Sequence, residues 1–218
     1  MKSLSRRQFL THSAAGLALW QVPGLFAEQL ALTPKATEGP FYPDKLPLDT
    51  DNDLIIVNDQ LTPAVGEVTW LSGRVLDRQG NPVPHAVVEI WQCDGKGVYY
   101  HSGSGEALER RDTHFQCFGR FLTGSTGEYL FRTIKPVPYP GRTPHIHYKI
   151  KRHGKELLTT QCYIKGHPQN PGDGIWKQIT DPRQRENVTV EFQPLLEEGV
   201  HQWAARFDVV LGWTPSAS

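Results

Sequence analysis

The sequence predicts an all-β protein, a single β-sandwich domain with long loops and an extended N-terminal arm. The chain contains 17 prolines and 20 glycines but only one methionine, a composition typical of many turns. Its aromatic and β-branched residues occur in short runs, which favours strands over long helices. Seven such runs separated by turn residues are typical of a sandwich. With 218 residues, the chain is long enough to bury one substantial core.

The first 27 residues are predicted to be a removed export signal. Arg6 and Arg7 precede an apolar run, which is the pattern of a twin-arginine signal. This run is too short to cross a membrane and contains a proline, which disfavours a membrane anchor. Cleavage after Ala27 or near Ala31 would both fit. The mature protein is therefore expected to be periplasmic or secreted.

The mature chain is predicted to consist of an arm, residues 28–66, and one sandwich domain, residues 67–218. The arm is rich in proline and acidic residues and shows no strand or helix periodicity, so we expect it to lie extended over the domain. Two long connections, 94–120 and 165–186, are expected to shape the mouth of a pocket.

The strands are predicted from alternation and from the turns that bound them. The first run alternates between apolar and polar residues, and Gly80-Asn81-Pro82 forms a turn before the second run. Each later run is bounded by Gly, Pro or polar clusters. The seven predicted strands are 67–76, 86–91, 128–133, 145–150, 157–164, 188–192 and 204–211.

Charge and cysteine content exclude several classes of protein. The 23 basic and 23 acidic residues balance, so no net field would attract nucleic acid or an anionic membrane. A small-molecule or protein partner is expected instead. Cys93, Cys117 and Cys162 are too few and too scattered for a thiolate metal site. One disulfide and three free thiols both remain open.

His145 and His147 form half of a candidate metal site. Side chains alternate along a strand, so both imidazoles lie on one face and Ile146 on the other. Alone, this pair also fits an exposed polar strand face. The segment 139–148 contains no carboxylate and no cysteine, which disfavours a two-histidine-one-carboxylate ferrous site and a zinc thiolate site. Tyr139 is the nearby alternative, since a phenolate is a hard donor suited to ferric iron.

Several stretches of the chain share the pattern of one enzyme family. Residues 127–140 are followed by Arg142-Thr143-Pro144-His145-Ile146-His147, and in the upstream strand Trp91 lies eight residues before Tyr99. With the arm segment Gly39-Pro40-Phe41-Tyr42, these stretches closely resemble the intradiol ring-cleavage dioxygenases, in particular the iron-binding (beta) chain of protocatechuate 3,4-dioxygenases. The resemblance covers residues 67–211.

The resemblance implies a non-haem Fe(III) cofactor and four metal ligands. The ligands would be Tyr99, Tyr139, His145 and His147. Tyr100 is the competitor for Tyr99, and the spacing from the tryptophan favours Tyr99.

The resemblance also implies an activity. Such an enzyme uses O2 to open a catechol-type ring, protocatechuate-like or catechol-like, between its two hydroxylated carbons to give a cis,cis-muconate. Arg142 and Gln161 would be catalytic beside the substrate, and Tyr139 would accept a substrate proton. No residue can be assigned to a substrate carboxylate, because the basic side chains near the site are equally well surface charges; these are Lys96, Arg110, Arg111 and Lys165.

Two departures from the family pattern affect these expectations. The segment between Tyr139 and His145 is shorter than usual, so the pocket is expected to be more open. The helical dimerisation region of catechol 1,2-dioxygenases has no counterpart, which favours the protocatechuate-type chains; a homo-oligomer and an unlike partner chain both remain open. Residues 73–84 also fit a transthyretin-like binding module without catalysis, which is the alternative function.

Overall fold

The structure is a computed structural model that describes residues 29–197 and 200–212. The predicted export signal lies outside the described residues. Within them, no helix is long and apolar enough to cross a membrane.

Two five-stranded sheets form the sandwich, which confirms the predicted fold class. The first sheet contains β1 (Val68–Leu76), β4 (Glu128–Ile134), β8 (Phe192–Glu197), β9 (Val200–Arg206) and β10 (Val209–Val210). The second sheet contains β2 (Val87–Trp91), β3 (Phe118–Leu122), β5 (His145–Arg152), β6 (Lys155–Ile164) and β7 (Thr189–Val190). Two short α-helices, α1 (Gly174–Gln178) and α2 (Pro182–Asn187), and 3-10 helices at Ser102–Arg110 and Asn170–Gly172 lie in the long connections.

The sheet order places β1 and β5 at the centre. In the first sheet β4 pairs antiparallel with β1, and β9 and β10 pair parallel with its other edge. In the second sheet the order is β3-β2-β5-β6-β7. The core between the sheets includes Leu71 and Phe131 from the first sheet and Ile90, Ile146 and Tyr148 from the second. Strand β5 is therefore buried on both faces, because the core covers one face and the arm and loops cover the other.

The arm contributes to the core as well as covering the surface. It has no helix or strand among residues 29–66 apart from a single bridge between Asp53 and Arg132. Its backbone is held to the domain at several points, including a bond from Leu54 N to the Arg132 carbonyl at 2.8 Å. Leu54 and Ile55 are fully buried. The prediction of an extended arm holds, but the burial of its apolar pair was not predicted.

Some strand boundaries differ from the predictions. Strand β3 was not predicted: it begins inside the connection predicted over residues 94–120, and it was missed because its Gly119-Arg120 centre lacks a strand-like sequence pattern. The last two predicted strands are four strands in the structure. Phe207 and Asp208 interrupt the final one, where the Asp208 carboxylate accepts a bond from Arg74 N at 2.9 Å.

The three cysteines are free. Cys93, Cys117 and Cys162 are each buried and unpaired. Of the two alternatives left open by the sequence, the structure has the free thiols.

Candidate metal centre

The four predicted ligands lie together at one end of the second sheet. The Nε2 atoms of His145 and His147 are 3.1 Å apart. The ring centroid of Tyr99 lies 5.4 Å from that of Tyr139 and 5.9 Å from that of His147, and the centroids of Tyr139 and His145 are 5.6 Å apart. Residues from three separate segments of the chain thus surround one point.

Strand β5 positions the two histidines. Its pleat places His145 and His147 on the outer face and Ile146 in the core. The Nδ1 atom of His145 lies 2.7 Å from the Thr143 carbonyl oxygen. A carbonyl only accepts hydrogen bonds, so Nδ1 carries the hydrogen and Nε2 presents a lone pair. This is the arrangement found around metal-binding histidines.

The ring of His147 is fixed by stacking. Trp91 packs against it with centroids 4.7 Å apart and planes 11° apart. Gly39 of the arm approaches from another side, since a Cβ atom at this position would lie 3.6 Å from His147 Cε1, and its φ of +73° is unfavourable for other residues. The arm segment quoted in the resemblance is therefore part of the wall of the site.

A tight turn places Tyr139 beside Arg142. Arg142 N donates to the Tyr139 carbonyl at 2.9 Å, with Pro140 and Gly141 between them. Gly141 has a φ of +81°. Proline followed by a glycine with positive φ is the pattern of a type II turn. The Arg142 Nη1 atom then lies 3.3 Å from the Tyr139 hydroxyl.

A loop organised by Asp94 delivers Tyr99. The buried Asp94 Oδ1 atom accepts bonds from Lys96 N at 2.9 Å and Val98 N at 3.0 Å. Gly97 has a φ of +79°, and a Cβ atom there would lie 3.4 Å from Tyr139 Cβ. The loops that carry the two tyrosines therefore touch. Sequence reasoning did not identify Asp94, although an aspartate that opens a Gly-Lys-Gly turn is a recognisable signal.

Tyr99 and Tyr100 lie in different environments. Tyr99 is buried, 3% exposed, beside Trp91 and Cys93, whereas Tyr100 packs against the main core and under the Arg111 guanidinium. Of the two neighbours, Tyr99 lies beside the histidines.

Arg142 is held by a network that sequence reasoning missed in part. Its Nη2 atom donates to Gln161 Oε1 at 2.6 Å, and its Nε atom donates to Asp173 Oδ2 at 2.7 Å. Tyr163 also donates to Gln161 Oε1, at 2.8 Å. The side chain of Asp173 is fully buried. Arg142 and Gln161 thus lie together as the resemblance implies, and Asp173 fixes the direction of the guanidinium.

The ionisation of these groups follows from burial. Burial first, and then the Arg142 charge, lowers the pKa of His145 to about 4. Burial and the neighbouring His145 lower the pKa of His147 well below its ordinary value. Both imidazoles are therefore neutral at neutral pH. Burial raises the pKa of Tyr99 well above 10, and it also raises the pKa of Tyr139, although Arg142 acts in the opposite direction.

These side chains fit a ferric ion. Tyr99 Oη is buried without a hydrogen-bond partner, which is costly unless another group satisfies it. Two neutral imidazole nitrogens 3.1 Å apart are close enough to bind the same cation. A cation would favour the phenolates that burial disfavours. The described residues contain no cluster of three or more His, Cys, Asp and Glu side chains that could hold a metal ion; here the two tyrosine hydroxyls accompany the two imidazoles.

A cleft of about 560 Å³ opens beside this cluster. Tyr139 and Arg142 line one side, and Gln169 and Asp173, from the connection 165–186, line the other. This connection shapes the mouth, as predicted, whereas the connection 94–120 does not line it. A second cavity of about 650 Å³ lies between arm residues 32–37 and the two α-helices and contains none of the predicted site residues.

Comparisons with known proteins assign the family. The family model described as "Dioxygenase" matches residues 37–212. The protocatechuate 3,4-dioxygenase beta chain of Burkholderia cepacia is 35% identical over 155 residues, 67% of this chain and 65% of that one. The hydroxyquinol 1,2-dioxygenase of Corynebacterium glutamicum is 29% identical over 196 residues, 79% of this chain and 61% of that one. The chain thus spans less than two thirds of the length of either relative.

A solved structure supports the same assignment. The dioxygenase domain of a dioxygenase carbohydrate-binding protein fusion from Streptomyces sp. SirexAA-E matches with a TM-score of 0.62 and 29% identity, over 83% of this chain and 98% of that one. The alternative of a transthyretin-like binding module receives no support from these matches. The chain belongs to the intradiol ring-cleavage dioxygenase family.

Proposed function

We propose that the chain is an Fe(III)-dependent intradiol dioxygenase that opens catechol-type rings. Tyr99, Tyr139, His145 and His147 would hold the iron. The observation that carries the proposal is the convergence of these four side chains, with the Tyr99 hydroxyl buried and unpartnered beside two neutral imidazoles. Family membership supports the same activity. When bound, the iron would supply Lewis-acid chemistry by binding the diol and activating its ring toward O2.

The overall reaction defines what the protein residues must do. A catechol and one O2 give one cis,cis-muconate, with cleavage of the carbon–carbon bond between the two hydroxylated carbons and both oxygen atoms retained in the product. The two catechol protons must be accepted as the diol binds. Tyr139 Oη would accept one of them, and its half-buried side chain beside the cleft supports this role.

Arg142 is placed to stabilise the negative charge that the diol and the opening ring carry. Its Nη1 atom lies 3.3 Å from Tyr139 Oη, and its other groups are held by Gln161 and Asp173. A charged donor fixed before the reaction costs no reorganisation during it, and one such donor contributes about 3 kcal/mol. Gln161 is fixed in turn by the Thr37 carbonyl, to which its Nε2 atom donates at 3.2 Å.

The test is product analysis under labelled oxygen. Iron-loaded protein is incubated with catechol under ¹⁸O2, and the product is identified by mass spectrometry. The proposal predicts cis,cis-muconate with one labelled oxygen in each carboxylate. A ring opened next to the diol, rather than between its hydroxyls, would contradict it, as would a lack of any product from iron-loaded protein.

Two adjacent tyrosines provide a matched comparison for the ligand assignment. Tyr99→Phe removes the unpartnered hydroxyl and is expected to abolish iron binding and turnover. Tyr100→Phe makes the same chemical change one residue away, in the main core, and should retain both. Iron content measured on the two purified variants distinguishes them, and equal iron content in both would overturn the assignment of Tyr99.

We also propose that the protein is exported by the twin-arginine route to the periplasm or beyond. Support comes from the sequence, in which Arg6 and Arg7 precede an apolar run. A paired substitution of Arg6 and Arg7 by Lys should retain the protein in the cytoplasm, as judged by cell fractionation. Unchanged export of the variant would contradict the proposal.

A further inference from the structure

The cleft beside the metal centre lacks a free cation for a substrate carboxylate. Among the residues that the structure describes, ten line it, and Arg142 is the only Lys or Arg of these ten. The other basic side chains considered from the sequence do not line the cleft: Lys96 donates to the Arg110 carbonyl, Arg111 lies over Tyr100, and Lys165 is exposed elsewhere.

The charge of Arg142 is already compensated. Its Nε atom pairs with Asp173 at 2.7 Å, and the Asp173 side chain is fully buried. The Nη2 atom donates to Gln161 and the Nη1 atom approaches Tyr139. The pair therefore has no net charge toward the cleft, and Arg142 is directed at the diol end of a substrate. Lys149, two residues beyond His147, is likewise paired, with Glu38.

Apart from Arg142 and Asp173, the residues that line the cleft are uncharged, and the volume of the cleft is much larger than one aromatic ring requires. Pro138, Pro140 and Pro168 line it together with Gly141 and Gly172. A volume of about 560 Å³ falls in the range of about 300–1,000 Å³ that is typical of clefts for drug-sized ligands. A bound ring would thus leave room for a substituent, and that substituent would contact the prolines, the glycines and the uncharged side chain of Gln169.

We propose that the cleft selects catechols with an uncharged, extended ring substituent and disfavours catechols with a carboxylate there. This inference rests on the proposed function. A carboxylate placed against these prolines would give up part of its hydration and would find no unpaired cation in return. The proposal predicts that this chain disfavours protocatechuate, the carboxylated catechol for which one of its relatives is named.

A matched pair of ligands tests the proposal. 3,4-Dihydroxyphenylacetate and its methyl ester differ by one charge, and a methylene group insulates the ring from the difference. The kcat/KM values for ring cleavage by the iron-loaded protein, and the anaerobic dissociation constants, are measured for both. The ester is expected to be favoured about tenfold or more in each quantity.

Two variants identify the missing cation as the cause. Gln169→Arg adds a cation on the exposed wall of the cleft and is expected to raise the acid-to-ester ratio of kcat/KM severalfold. Gln169→Leu, which adds no charge, should leave that ratio unchanged. Wild-type protein that prefers the acid, or a Gln169→Arg variant with the wild-type ratio, would overturn the proposal.

The dissociation constants and the cleavage rates distinguish a failure of this proposal from a failure of the proposed function. Tighter binding of the ester without cleavage of either compound would contradict the dioxygenase activity and support the selectivity of the cleft. Cleavage of both compounds with a preference for the acid would support the activity and overturn the selectivity.

Discussion

Replacing Asp173 by Asn isolates the contribution of one buried charge. The Asp173 Oδ2 atom accepts from Arg142 Nε at 2.7 Å and from Thr143 N at 3.1 Å, and Oδ1 accepts from Ile175 N and Trp176 N at 2.9 Å each. Asparagine retains one side-chain oxygen, which can accept the two backbone N–H groups at the start of α1. Asparagine and aspartate are about equally favourable at this capping position. The amide carries no charge and turns its NH2 group toward Arg142 Nε and Thr143 N, so the substitution removes both the charged partner of Arg142 and the acceptor of Thr143 N.

The magnitude follows from the burial of the pair. Removing one partner of a fully buried ion pair costs about 3–5 kcal/mol. The Arg142 side chain is 15% exposed, so water can partly replace the lost carboxylate, and we expect a loss of about 2 kcal/mol in the free energy of unfolding. A guanidinium no longer fixed on its target should also lower kcat, by about 100-fold. Iron content should remain at the wild-type level, because Asp173 contacts none of the four ligands.

The assay compares Asp173→Asn with Asp181→Asn. Asp181 begins α2 and its Oδ1 atom accepts from Arg183 N at 2.9 Å, but it is exposed and contacts no residue of the site. Denaturant unfolding, iron content and catechol turnover are measured for both. Asp181→Asn should change stability by less than about 0.5 kcal/mol and leave kcat unchanged. Equal stability and kcat in the two variants would refute the positioning role of Asp173.

Three further predictions follow from buried groups. Tyr99→Phe should leave the unfolding free energy of the iron-free protein unchanged or raise it by about 1 kcal/mol, because its hydroxyl is buried without a partner; calorimetry of iron-free protein checks this. Trp91→Leu should cost about 3 kcal/mol and reduce iron retention, because Trp91 is fully buried and stacks on His147; denaturant unfolding and iron content measure the two effects. Burial raises the pKa of Asp173, but hydrogen bonds from Arg142 and backbone N–H groups outweigh it and lower that pKa below 3.8. The stabilisation is therefore present above about pH 4 and is lost as the pH falls through the folded-state pKa, so in acid titrations Asp173→Asn should lose less stability below pH 4 than the wild type.

The parts of the site set by local geometry could be predicted from the sequence. The period of two along a strand places His145 and His147 on one face, and the Pro140-Gly141 pair predicts the turn beside Tyr139. Most strands could likewise be located from the sequence, because the alternation of apolar and polar residues and the turn residues that bound a strand are local signals. These features depend on neighbours within a few residues.

The parts set by distant contacts could not be predicted. Asp173 meets Arg142 across 31 residues of sequence, and no spacing rule connects them. Leu54 and Ile55 lie in an arm without periodicity, so nothing local distinguishes a buried pair from a covering segment. The choice of Tyr99 over Tyr100 was made from the sequence, but only through the spacing from Trp91 that the resemblance supplies.

The visible absorption spectrum of the purified, iron-reconstituted protein tests the central claim most directly. Phenolate ligands from Tyr99 and Tyr139 should give a red-brown charge-transfer band. This band should move to longer wavelength when catechol is added without oxygen, because the diol then binds the same iron. A protein that remains colourless after reconstitution with iron would contradict the tyrosinate–iron centre and the activity proposed from it.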